Sequence, residues 1–150
     1  MVFVVDDLDL RILNLLMDNS KLSYRKLAVR LGVSVATIMN RINKLEKEKI
    51  IKKYSAVIDY EKLGYDIAIL TEVRIAHGNR IDVEKSISEH PNVRSVFDVT
   101  GGVDALVFAI FKNRREMDGF LKRIQSIQSV ERTETKLILN TLKDDHIRIG

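Results

Sequence analysis

KLSYRKLAVRLGVSVATIMNRINKLEKEKIIKK, residues 21–53, decides the reading of this chain. The stretch holds ten basic residues (Lys21, Arg25, Lys26, Arg30, Arg41, Lys44, Lys47, Lys49, Lys52, Lys53) and two acids (Glu46, Glu48), a net of +8 in a chain whose whole net charge is +4. Two short helical patterns flank Gly32. Ser23 is a good N-cap for a helix over 24–31, with Leu27, Ala28 and Leu31 on its inner face. Gly32-Val33 supplies a turn, with Val33 plugged into the core. Ser34 is a second N-cap, for a helix over 35–47 with the inner stripe Val35, Ile38, Ile42 and Leu45. Small Ala28 lets the two helices approach. This is the spacing a helix-turn-helix needs.

The chemistry follows from the side of the second helix left outside. Thr37, Asn40, Arg41 and Lys44 share it. Arg and Asn can pair two-pronged with base edges, whereas Lys mostly meets phosphate. Ser23 and Ser34, with the amides that open each helix, can take phosphate oxygens. Tyr24, Arg25, Val35 and Ala36 complete the expected DNA-facing set. The bland alternative is a charged, solvated face; turn spacing and the local +8 together favour DNA.

Working outward, Asp6-Asp7 precede an apolar stripe (Leu8, Ile12, Leu15, Leu16) at helical spacing, ended by Asn19 or Ser20. After the basic stretch, Ile50-Ile51 and the alternation through 53–58 suit a short strand or wing. Beyond 64 the period changes. Strands are expected over 67–76, 93–100, 103–111 and 130–142, and helices over 81–90 and 117–127, with Gly101-Gly102 as a tight turn. That order, βαββαβ, is the ferredoxin-like arrangement. The fold class is therefore α+β, a winged helix-turn-helix followed by a ferredoxin-like domain. Expected boundaries are 1–53 for the DNA-binding domain, 54–64 for a wing or linker strand, and 65–150 for the second domain. In 67–70 and 106–110 both alternating faces are apolar, although two helices cover only one side of a four-stranded sheet. A second copy of the sheet is the simplest cover, so a homodimer through this domain is expected.

Composition excludes much else. The chain has no cysteine, which removes disulfides, thiolate chemistry and Cys-ligated zinc. His77, His90 and His146 lack metal-ligand spacing. His77 reads as a loop residue, His90 as a basic group at a helix C-terminus, and Arg114-Arg115 as the solvated start of the last helix. No segment has the form of a signal peptide or a membrane span, so a cytoplasmic protein without a membrane partner is expected. Residues 1–64 carry 12 basic and 8 acidic residues, and residues 65–150 carry 13 of each. The halves are expected to face different partners.

Taken in order, Asp6-x-x-Asp9-x-x-Ile12-Leu13, Ser23-x-x-x-Leu27-Ala28, Gly32-x-Ser34, Arg41-Ile42-x-x-Leu45-Glu46, Ile50-Ile51, Tyr54, Leu63-Gly64, Thr100-Gly101-x-x-Asp104 and Thr133-Glu134-Thr135 resemble the Lrp/AsnC family of transcriptional regulators over about residues 6–143. The resemblance implies a sequence-specific regulator, not an enzyme and without a cofactor. It implies dimers assembled into higher forms such as octamers, double-stranded DNA as partner, and a small effector, usually an amino acid, bound between subunits. By motif the effector site is Thr100, Gly101, Gly102, Val103 and Asp104, with Thr133 and Thr135 on one strand face. Asp104 can accept hydrogen bonds from an ammonium group or fix the turn. One residue departs from the pattern: Lys49 stands where the family usually has glycine, a left-handed helix end that would cost lysine on the order of 1 kcal/mol, so a different helix end is expected. The alternatives are an architectural DNA-binding protein with little specificity and, further off, an Lrp-like enzyme, for which scattered histidines offer no convergent site.

Overall fold

The computed structural model describes residues 4–76 and 78–150. His77 lies outside the described residues. The chain divides into two compact units: residues up to Val57 together with Lys143–Gly150, and Ile58–Leu142.

The first unit is three helices, α1 Asp7–Asp18, α2 Tyr24–Leu31 and α3 Val35–Lys47. Each start is fixed by a polar cap. Asp6 and Asp9 form a reciprocal capping box at α1. Ser23 Oγ accepts from Lys26 N–H at 3.3 Å and Ser34 Oγ from Thr37 N–H at 3.0 Å, each satisfying a donor that the first turn leaves open. Gly32, at φ +69°, ends α2 in the left-handed region. Ile12, Leu16, Leu27, Ala28, Ile38, Ile42 and Leu45 make the core, and Val33 and Ile51 pack against it. Val35, expected on the inner stripe, is 45% exposed. In the first turn of α3 the stripe has not yet rotated onto the core.

Lys49 is the sole non-glycine at positive φ among the described residues (φ +57°). The helix end is therefore the left-handed one after all: Lys49 N–H donates to Glu46 O and Ile50 N–H to Leu45 O, both at 2.9 Å. That bond pair closes a Schellman motif and directs Ile51 into the core. Lys49→Gly should raise stability by about 0.5–1 kcal/mol, relief of the strain being partly offset by glycine's freedom in the unfolded chain. Chemical denaturation would read this, and an unchanged midpoint would contradict it.

No strand forms between 52 and 59, where alternation suggested one. A strand needs a neighbour to take its backbone groups, and none pairs with this segment among the described residues. Tyr54 is instead tied to α3: its hydroxyl donates to Glu46 Oε1 at 2.8 Å, and burial with the Glu46 carboxylate pushes its pKa up to about 12. The last residues, grouped on sequence with the second domain, run along α1. The Asn14 amide bonds both the carbonyl (2.7 Å) and the N–H (3.3 Å) of Ile149, and Arg148 pairs with Asp18 at 2.8 Å.

The second unit opens with a single turn at Glu61–Leu63 and then runs β1 Ile67–Ile75, α4 Arg80–Ser88, β2 Val93–Asp98, β3 Ala105–Phe111, α5 Arg114–Gln125 and β4 Val130–Leu137. The sheet is antiparallel in the order β2-β3-β1-β4, which is the ferredoxin-like topology. Alternation assigns its faces. Ile69, Val73, Ile75, Ala105, Val107, Ala109 and Phe111 are buried with Val83, Ile87, Phe120 and Ile124 of the helices. Ala68, Leu70, Leu106, Phe108 and Ile110 occupy the opposite face and are only half-buried.

His90 differs from its expected role at the helix end. Its ring stands edge-on to Phe120 (centroids 4.9 Å apart), and its Nδ1 accepts from Asn92 N–H at 3.2 Å. Burial, and then Arg123, hold its pKa below the ordinary value. The unfolded chain therefore binds the proton more readily, and stability is lost as pH falls below about 6.5 toward the lower folded value. Denaturation at pH 7 and pH 5 should show this loss in the wild type and less of it in His90→Phe. Parallel curves for the two proteins would rule it out.

Candidate nucleic-acid interface and effector loop

The exposed face of α3 carries Val35, Ala36, Met39, Asn40, Asn43, Lys44 and Lys47, while Ile38, Ile42 and Leu45 are buried. Thr37 is half-buried, and its hydroxyl lies 2.8 Å from the Ser34 hydroxyl, where it reinforces the cap. Exposed Ser23, Tyr24, Arg25, Lys26 and Arg30 come from α2. Serine caps, basic side chains and amide side chains that can read base edges are thus all open to solvent on α2 and α3. Sequence reasoning missed Met39, 43% exposed, because an apolar residue was not sought on a DNA-facing side. A methionine there can pack on a thymine methyl group.

Arg41 does not belong to that face. Its Nη1 donates to Asp6 and, at 3.2 Å, to Asp9 Oδ2. Asp9 is 1% exposed, and its Oδ1 has no hydrogen-bond partner among the described residues. Position 41 flanks the buried Ile38–Ile42 stripe, so its side chain reaches the start of α1 and neutralises a carboxylate that burial would otherwise penalise. The backbone N–H of Asp9, and then Arg41, hold the Asp6 carboxyl below its usual range.

In the second unit, Thr100–Val103 forms the tip between β2 and β3. Thr100, Gly101 and Gly102 are exposed, with Gly101 at φ +121°, where any side chain would be strained. Val99 N–H donates to Asp104 O at 3.1 Å and Asp104 N–H to Val73 O at 3.0 Å, closing the stem. The amides of residues 100–103 donate to no group among the described residues. Asp104 fixes the turn: its Oδ2 accepts from Ile75 N–H at 2.8 Å.

Beside this tip lies an open pocket of about 90 Å³ lined by Glu72, Arg74, Gly102, Val103, Arg132 and Glu134. Its charges alternate. Glu72 faces Glu134 across the β1–β4 pairing, and Lys136 Nζ bridges them at 2.7 and 3.1 Å. Those two carboxylates, Glu72 first, raise the Lys136 pKa. Arg74 faces Arg132, each beside an acid: Glu131 at 3.5 Å and Glu134 at 3.7 Å. Thr133 and Thr135 share one strand face, as their spacing requires, but it is the helix-covered one: Thr135 meets buried Thr71 at 3.1 Å and Thr133 meets Gln125 of α5 at 3.1 Å. Glu134 between them faces the pocket. The alternation of charge in Glu72-x-Arg74 and Arg132-x-Glu134-x-Lys136 was the sequence signal that could have found these residues.

No group of three or more His, Cys, Asp or Glu that could hold a metal ion occurs among the described residues, and no described helix is long and apolar enough to cross a membrane. Family models match at both ends of the chain: winged helix-turn-helix DNA-binding over residues 5–52, and Lrp/AsnC ligand binding domain over residues 68–147. An HTH-type transcriptional regulator of Pyrococcus abyssi is 41% identical over 143 residues, covering 95% of this chain and 97% of its own. The HTH-type transcriptional regulator FL11 of Pyrococcus horikoshii is 34% identical over 140 residues, covering 93% of each. Among solved structures, a transcriptional regulator of Neisseria meningitidis in complex with L-Met superposes with a TM-score of 0.90 at 25% identity, over 98% of this chain and 97% of its own.

Proposed function

The chain belongs to the Lrp/AsnC family of transcriptional regulators, which are not enzymes, and we propose that it reads specific duplex DNA as a dimer under the control of an amino acid. The observation that carries this reading is the α3 surface, anchored on one side by Ile38, Ile42 and Leu45 and open on the other at Ala36, Asn40 and Asn43, next to the basic side chains of α2. A helix so held can enter a major groove with its N-terminal half while Ser23, Ser34 and Arg25 meet phosphates. The uncovered apolar face of Leu70, Leu106, Phe108 and Ile110 supports pairing with a second sheet, which presents two α3 helices to successive grooves. Dimers then assemble into larger forms such as octamers, and the whole works in the cytoplasm.

The second unit supports an amino-acid effector. Unbonded amides at 100–103 suit a carboxylate, and the mixed-sign wall of Glu72, Arg74, Arg132 and Glu134 suits the two charges of a zwitterion. The L-Met of the Neisseria regulator shows a ligand of that class on a similar fold. Asp104 holds the turn, while Thr133 and Thr135 bond to Gln125 and Thr71 on the helix-covered face. A thermal-shift screen against each standard L-amino acid tests this half of the reading, because a ligand raises the melting temperature only if it binds the folded state. The DNA half is tested by Asn40→Ala, which should cost roughly 1–3 kcal/mol of discrimination at one base pair and leave non-specific affinity in place. Uniform loss across all sequences would make Asn40 a phosphate contact. With Arg41 withdrawn from the face, fewer base readers remain, and that observation favours a low-specificity architectural protein as the second reading.

A further inference from the structure

Arg80, the first residue of α4, is placed against the rules of its own helix. A cation at a helix N-terminus opposes the dipole, and Asn79 before it makes no side-chain cap bond. Its contacts explain the position. Nη2 donates to Asp104 O at 2.8 Å, to Val99 O at 3.2 Å and to the Asp98 carboxylate, while Nε donates to Glu84 Oε1 at 3.1 Å. Nη1 stands 3.9 Å from the Asp104 carboxylate. One guanidinium therefore grips both stems of the Thr100–Val103 tip and separates three carboxylates that would repel one another without it.

We propose that Arg80 is the positioning residue of the effector loop, holding Val99 and Asp104 so that the amides of residues 100–103 stay aimed outward at the ligand. The inference rests on the effector reading above. Arg80 touches no ligand; it acts through the loop, and its positive charge beneath the tip adds to the attraction for a carboxylate. The planar fork is needed because a lysine ammonium cannot span Glu84, Asp98 and two carbonyls at once.

The test compares wild type, Arg80→Lys, Arg80→Gln and Glu84→Gln by calorimetry with whichever standard L-amino acid stabilises the wild type most. Amide hydrogen exchange is followed at Val99, with Val73 as core reference. Both Arg80 variants should stay folded, exchange the Val99 amide roughly tenfold faster with Val73 unchanged, and bind the amino acid at least about tenfold more weakly, Arg80→Gln worse than Arg80→Lys. Glu84→Gln keeps the stem contacts and should bind within about threefold of wild type. Wild-type affinity in both Arg80 variants overturns the assignment while leaving the effector reading intact. A wild type that binds none of the amino acids, with no shift of the Gly101 and Gly102 amide resonances, overturns the effector reading and this inference with it. Global acceleration of exchange, Val73 included, makes Arg80 a general stabiliser and overturns the positioning role.

Discussion

Replacing Arg41 by alanine is expected to destabilise the helical unit by about 2–3 kcal/mol, a fall in melting temperature on the order of 10–20 °C. The cause is Asp9. Its carboxylate is buried, one oxygen already lacks a hydrogen-bond partner among the described residues, and Arg41 pairs with the other. Breaking a buried pair from one side can cost more than this, but Arg41 is one-third exposed and solvent screens part of the interaction. DNA binding by Arg41→Ala should fail in proportion to unfolding and recover on cooling. Adding Asp9→Asn should restore much of the lost stability, since a neutral amide no longer needs the guanidinium. A variant that melts like wild type yet binds DNA poorly would return Arg41 to the reading face. Acid should act on the same cluster. Because the folded Asp6 pKa is depressed, its contribution is present above about pH 4 and lost as pH falls through the folded value.

Phe108→Glu is expected to prevent the proposed dimer from forming while leaving the fold of the subunit intact. The side chain sits on the uncovered sheet face with Arg94 stacked 5.6 Å from its ring centroid, so a charge is tolerated in a free subunit and penalised in an apolar interface. Separating two linked DNA-binding units should weaken binding to paired half-sites by about 10²–10⁴, while affinity for one half-site changes little. Analytical ultracentrifugation reads the first effect and electrophoretic mobility shift the second. A Phe108→Glu protein that still sediments as a dimer would place the interface elsewhere.

These two cases mark what could be read from residues alone. Helix starts were legible because Asp6, Ser23 and Ser34 cap locally, and βαββαβ was legible because the apolar period changes near 64. Arg41 was misread because its partners lie more than thirty positions away, and no periodicity records a tertiary ion pair. Period two correctly placed Thr133 and Thr135 together, but cannot say which face the helices cover. Lys49 shows the reverse. Its side chain argued against a left-handed helix end, yet the two backbone bonds and the burial of Ile51 outweigh about 1 kcal/mol of strain. Segment 52–59 alternates like a strand, and the absence of a pairing strand among the described residues decides against one.

The claim that joins both units is specific DNA recognition by a dimer whose α3 helices read base edges. It is tested most directly by selecting sites from a randomised duplex pool and measuring the wild-type Kd for the selected site and for its scrambled sequence at physiological salt. The expected result is a paired site with half-sites about 10 base pairs, or a multiple, apart and an affinity at least about 10³ greater than for the scrambled duplex. Equal affinity for the two duplexes would contradict it and leave a protein that binds the backbone without reading sequence.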